Sequence, residues 1–135
     1  MLHLYQKPNM SNSNKKDIKV TTSDAGEVEK ENIHIIVEIV QYVNNAVMSR
    51  TIIKKTTGNV TALSFSEGEE LSDKTVPFDN YIQIIDGAAD VTIDKKTYHL
   101  EVGNGMIIPA HSLHRFNAKQ QFKMLSTIIK SGYEN

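Results

Sequence analysis

Apolar residues along this chain recur mostly at intervals of two, in short runs broken by Gly, Asp, Asn or Lys. "NVTALSFS" alternates, with Thr61, Leu63 and Phe65 on one face, the two-residue period of a strand with one buried side. "VMSRTIIKK" reads as a strand ending in charge, and "TTG" punctuates it. "YIQIIDG" and "AADVTID" read as two strands joined at Asp86-Gly87, a pairing that favours tight hairpin turns. "KKTYHLE", "MIIP", "LHRFNA" and "FKMLSTIIK" follow as further strands, while "EGEELSDKTVPFDN", with Pro77 inside it, reads as a loop. "NIHIIVEIVQYV" is ambiguous: Ile36, Ile39, Val40 and Val43 have helical spacing, yet the β-branched density favours a strand followed by irregular chain.

The pattern therefore predicts an all-β chain of about eight to ten short strands, closed or doubled into a barrel or sandwich so that few edges stay open. No repeat of the length used by propellers or solenoids is present. Residues 1–31 are rich in Asn, Ser, Lys, Thr and Glu, too polar to offset their ordering entropy, and are expected to form a flexible N-terminal arm. Residues 32–135 are expected to form the barrel domain. Met10, which opens "MSNSNKKDIK", serves as a start as well as Met1 does.

Composition narrows the function classes. The 135 residues carry a net charge of -1, so no overall field draws the chain to nucleic acid or to an anionic membrane, and no basic stripe with interleaved aromatics is present. The longest apolar runs fall far short of the roughly 20 residues that span a bilayer, and no secretory leader is recognisable at the start. Cysteine is absent, which removes disulfides and thiolate metal sites and fits a cytoplasmic location.

The chemistry-bearing stretch is "VGNGMIIPAHSLHRFNA", where Gly103, Pro109, His114 and Asn117 follow one another at spacings that, with Gly87 ending an earlier apolar strand, resemble the two motifs of the cupin superfamily. His111 stands where many cupins carry glycine. The resemblance runs from about Asn32 to Ser131 and is similar in detail to small single-domain cupins, mostly of unassigned activity. It implies a jelly-roll barrel, the double-stranded β-helix, with fold specified far better than function. By the strand period, His114, Phe116 and Ala118 should point inward, as should Asn80, Ile82 and Ile84, with Tyr81, Gln83 and Ile85 outward.

Metal-dependent cupins usually supply two histidines and a glutamate from the first motif and one histidine from the second. Carried across, the first-motif positions fall at Lys74, Val76 and Asn80, or at Asp73 and Thr75 with a one-residue slip. An ammonium, an isopropyl group and an amide cannot replace two imidazoles and a carboxylate, because a catalytic divalent ion normally takes three protein ligands. A complete metal site and a resident cofactor are therefore not expected. His114 is the one residue of the motif that could still ligate a divalent ion or act as general acid or base. His3, His34 and His99 have no partner at useful spacing and are expected at the surface. The expected function is binding, or modification, of a small molecule at a barrel mouth lined by Lys74, Asn80, Ile82, Ile84, His114 and Phe116, with an anionic ligand favoured by Lys74 and His114. The alternative is a metal-dependent oxygenase or isomerase using His114. The resemblance also implies a homodimer.

Overall fold

A computed structural model describes residues 20–22 and 26–133. Nine strands form one sheet that folds over on itself: β1 (Thr21–Thr22), β2 (Val47–Lys55), β3 (Gly58–Phe65), β4 (Glu70–Lys74), β5 (Asn80–Ile93), β6 (Lys96–Glu101), β7 (Gly105–Ile108), β8 (His114–Asn117) and β9 (Phe122–Ile129). The strand order is β1-β2-β3-β9-β5-β8-β4, with β6 and β7 also paired to β5.

Strand β5 is the corner of the fold. Its first half pairs with β9 and β7, and its second half with β6 and β8. Asp86-Gly87 is thus not a hairpin turn between two strands, as the sequence pattern suggested, but the bend within one 14-residue strand. The register against β9 shifts between Ile84 and Asp86, an extra residue of the kind that kinks a strand and re-aims it. Gly87, at φ 68°, supplies the conformation that an L side chain resists.

Two other expectations change. "EELSDK" is not all loop, because Glu70 and Leu71 pair with Asn117 and Phe116 as part of β4, and the Leu71 side chain packs against the core. The ambiguous Ile33–Val43 stretch is not a strand: it makes one 3-10 turn at Ile36–Glu38. Its apolar residues serve as a lid instead. Val40, with Ile39 and Val43, covers Met48, Ala62 and Leu125 on the outer face of β2, β3 and β9. Polar contacts anchor that lid. The Lys123 ammonium donates to the Val37 carbonyl, the Ser64 hydroxyl to the Gln41 carbonyl at 2.8 Å, and the Tyr42 hydroxyl to Asp86 at 2.6 Å. Burial and the Asp86 carboxylate push the Tyr42 phenol pKa up.

Of the arm expected over residues 1–31, residues 1–19 and 23–25 lie outside the described residues. Thr21 and Thr22 pair in parallel with Met48 and Ser49 of β2, Val20 packs against the core, and the Val28 amide donates to the Ile52 carbonyl at 3.1 Å. These pieces cover an otherwise open strand edge, which is why so polar a segment is placed there.

The barrel interior is filled. Phe65 stacks on Phe122 at 4.4 Å and leans on Phe116 at 5.9 Å. Ile82, Ile84, Val91, Ile108 and Met124 complete the same buried cluster, each large side chain worth about 1.5–3 kcal/mol of transfer free energy.

Candidate functional site

His114 opens β8 with its residue only 6% exposed. Its inward placement follows from the strand period, which also buries Phe116 and Ala118. The ring meets Phe116 edge-on at 5.8 Å, and Nδ1 faces the Ser112 carbonyl at 3.3 Å, so Nδ1–H is the donating tautomer. Burial pushes the imidazole pKa down, the Ser112 hydrogen bond partly opposes this, and the Lys74 charge adds to the depression. Stability linked to this group is present above its unfolded value near 6.5 and falls as the pH drops through that value, because the unfolded chain then binds the proton more readily.

Lys74 is brought to His114 by register. The two residues face each other across the β4–β8 ladder, while Ile93 flanks His114 from β5. Lys74 is exposed and sits at the end of its strand. Asn80 is buried, and its Oδ1 accepts a hydrogen bond from the Ser126 hydroxyl at 2.7 Å. Ser126 was not singled out from the sequence, though the period of β9 places it on the face shared by Phe122 and Met124. Ile82, Ile84 and Phe116 share one closely packed cluster below this rim.

His111 is held apart from His114. It is exposed, at φ 67°, and its amide donates to the Val76 carbonyl at 2.7 Å. Next to it, the Ala110 amide donates to Asp79 Oδ1 at 2.8 Å. These two bonds strap the turn before β8 to the segment after β4. A left-handed backbone explains why glycine suits this position. His111→Gly should therefore leave stability unchanged or raise it by up to about 1 kcal/mol, whereas His111→Val should lower it by about 1–2 kcal/mol. Urea melts of the two variants check this.

A second polar cluster lies on the outer face of β5 and β6. His99, expected to stand alone, faces Asp90 in the ladder, with Nδ1 2.7 Å from the carboxylate. Lys119 stands 3.3 Å from the other oxygen. The His99 hydrogen bond first, then Lys119, hold the Asp90 carboxyl below its usual range. A cleft of about 570 Å³ runs between Asp90, Thr97, His99, Lys119 and Gln120. Sequence did carry a signal for the pair: in "DVTIDKKTYH" Asp90 and His99 are equidistant from the Asp94-Lys95 turn.

The donor set at His114 does not fit a divalent metal. The residue opposite His114 in the ladder carries an ammonium, the Asn80 amide oxygen is engaged by Ser126, and the Val76 side chain offers no lone pair. A cation beside the ring opposes a second one. Among the described residues no cluster of three His, Asp or Glu is placed to hold a metal ion.

No protein-family model and no curated protein matches the sequence. Solved structures do match. A conserved protein of unknown function from Streptococcus pyogenes superposes with a TM-score of 0.74 at 27% identity, over 78% of this chain and 92% of the other. A cupin superfamily protein from Desulfitobacterium hafniense does so with a TM-score of 0.72 at 24% identity, over 77% and 95%. The chain has a cupin fold. The same barrel recurs in a salicylate 1,2-dioxygenase from Pseudoaminobacter salicylatoxidans, with a TM-score of 0.58 at 17% identity over 62% of this chain and 26% of that one. At that distance the likeness to the dioxygenase is one of fold. Cupin barrels thus accompany both uncharacterised proteins and an oxygenase, and the site residues must decide between them. No helix among the described residues is long and apolar enough to cross a membrane.

Proposed function

We propose that this cupin binds a small anionic molecule, a carboxylate by preference, at the barrel rim where Lys74 and His114 face each other. The observation that carries this reading is their direct opposition across the β4–β8 ladder. That opposition sets one permanent cation beside an imidazole that gains charge when an anion arrives. Asn80, Ile82, Ile84 and Phe116 form the surroundings of the rim, and the packed rings beneath it keep the ligand shallow. The cysteine-free composition accords with a cytoplasmic setting.

The test is a thermal-shift and calorimetric screen of short mono- and dicarboxylates. Lys74→Ala and His114→Ala should each weaken binding about tenfold, the loss of one charge-assisted contact. Binding should tighten as the pH falls from 8 to 6, because the bound anion favours protonation of a ring that burial keeps neutral. His114→Ala should abolish that pH dependence. Stabilisation by divalent metals alone, lost in His114→Ala, would refute the anion reading and favour the metal-dependent enzyme.

A further inference from the structure

Asp90 faces outward, yet the fold hides it. Its neighbours Ala89 and Val91 belong to the buried core, so the strand period turns Asp90 to the outer face, where it is only 9% exposed. The Lys119 ammonium reaches it from the β8–β9 turn and the His99 ring from β6, one on each carboxylate oxygen. An ionised carboxylate only accepts, so Nδ1 of His99 carries the proton and donates it across the 2.7 Å contact. The neutral ring then has its lone pair at Nε2. That atom has no hydrogen-bond partner among the described residues: Glu101 Oε1 stands 4.0 Å away, and a carboxylate oxygen has no proton to give it. The His99 side chain is 60% exposed. It lines both the 570 Å³ cleft and an adjoining one of about 360 Å³, which share Ala88, His99 and Gln120. A base oriented by a buried carboxylate, in a cleft that admits a small molecule, is what general-base catalysis requires.

We propose that this cleft hydrolyses small neutral carboxylic esters, with His99 Nε2 as general base, Asp90 as its positioning residue and Lys119 as donor to the oxyanion. The nucleophile is water. The chain has no cysteine, no serine among the described residues lines either cleft, and the Thr97 hydroxyl is shared with Thr92 at 2.8 Å. As the water oxygen bonds to the carbonyl carbon, its proton passes to Nε2 and the carbonyl π electrons move onto oxygen. That oxyanion is met by the Lys119 ammonium, which Asp90 holds through its other oxygen. The tetrahedral intermediate then expels the alkoxide, which takes the proton from Nε2 and leaves as the alcohol. The acid product ionises and releases one proton to solvent. Asp90 keeps its charge throughout and steadies the imidazolium that forms. Charge and room set the substrate class. With the ring neutral, Asp90 and Glu101 outnumber Lys119 by one negative charge, so an anionic substrate is repelled and the anionic product is driven out. Ala88, the small apolar residue common to both clefts, leaves space for an acetyl-sized acyl group. The His114 ring is buried on the inner face of the same sheet, so this site stands independently of the carboxylate rim.

The probe is 4-nitrophenyl acetate, followed as released 4-nitrophenolate, with the full chain held well below its melting temperature. Hydrolysis should saturate with substrate. His99→Gln should lower kcat about 100-fold, the size of a lost general base. Asp90→Asn should lower kcat at least about tenfold while KM stays within about twofold, because substrate still binds but the ring loses the tautomer that frees Nε2. A merely structural role for Asp90 would lower stability without that split. Lys119→Ala should lower kcat at least about tenfold, through the oxyanion it no longer meets. His111→Gln, which removes another exposed imidazole, should leave the rate unchanged. If Asp90→Asn fails to fold, His99→Gln and Lys119→Ala, both at exposed side chains, decide the matter. A rate that stays linear in substrate, or that falls equally in His99→Gln and His111→Gln, is the background reactivity of surface imidazole and overturns the proposal. An unchanged kcat in His99→Gln overturns it as well.

Discussion

Replacing Gly87 with alanine is expected to remove most of the stability of the fold. An added Cβ would overlap the Gln121 carbonyl oxygen and lie 2.9 Å from Phe122 Cα. Both are backbone atoms of the paired chain, so no side chain can swing aside. The positive φ of 68° adds strain. Together they should cost at least about 4 kcal/mol, against a total of about 5–15 kcal/mol for an ordinary domain. At about 4 °C per kcal/mol the melting temperature should fall by more than about 15 °C. The informative control is Gly103→Ala. Gly103 also has a positive φ, 92°, but nothing lies within 4 Å of where its Cβ would be, so strain alone, about 1–2 kcal/mol, should result. Urea melts of the two variants separate close approach from backbone conformation. Equal losses would mean that Gly87 is not the tight corner that turns β5 from one half of the sheet into the other.

That corner also shows how far the sequence could be read. Asp86-Gly87 carries the chemistry of a hairpin turn, and nothing local distinguishes a two-residue turn from a bulge in a continuing strand. The decision is made by distant strands: β9 pairs with β5 up to Gly87, and β6 takes over from Ala88. The period-two faces were legible, because His114 and Phe116, like Ile82 and Ile84, alternate with less buried neighbours along their strands. The 33–43 stretch was not, since its β-branched residues satisfy burial equally well as a lid, and distant contacts from Lys123, Ser64 and Asp86 help fix it as one. At the site, the pairing of Lys74 with His114 depends on the register of a strand the pattern assigned to a loop. The Asp90–His99 pair could have been found by counting outward from Asp94-Lys95. The Ser126–Asn80 contact could not, because it joins strands 46 residues apart.

Phe65→Ala should be the second most damaging substitution, and it tests where a ligand can sit. Phe65 is fully buried between Phe122 and Phe116, and truncating a ring so placed costs about 3–5 kcal/mol, partly through the cavity left behind. Phe65→Leu, which keeps most of the volume, should cost less than half as much. The new cavity would be apolar and dry, able to take up benzene-sized molecules that the native barrel excludes. Xenon or benzene uptake, read by the recovery of melting temperature, checks this part. The Lys74–His114 rim meets Phe65 through Phe116, so carboxylate affinity measured well below the melting temperature should change by about threefold or less, the small coupling expected through one shared neighbour. Core and rim are then separable: one phenylalanine cluster holds the barrel closed, and recognition is confined to its edge. A carboxylate affinity that collapses with Phe65→Ala while the protein remains folded would place the ligand in the interior and defeat the shallow-rim account.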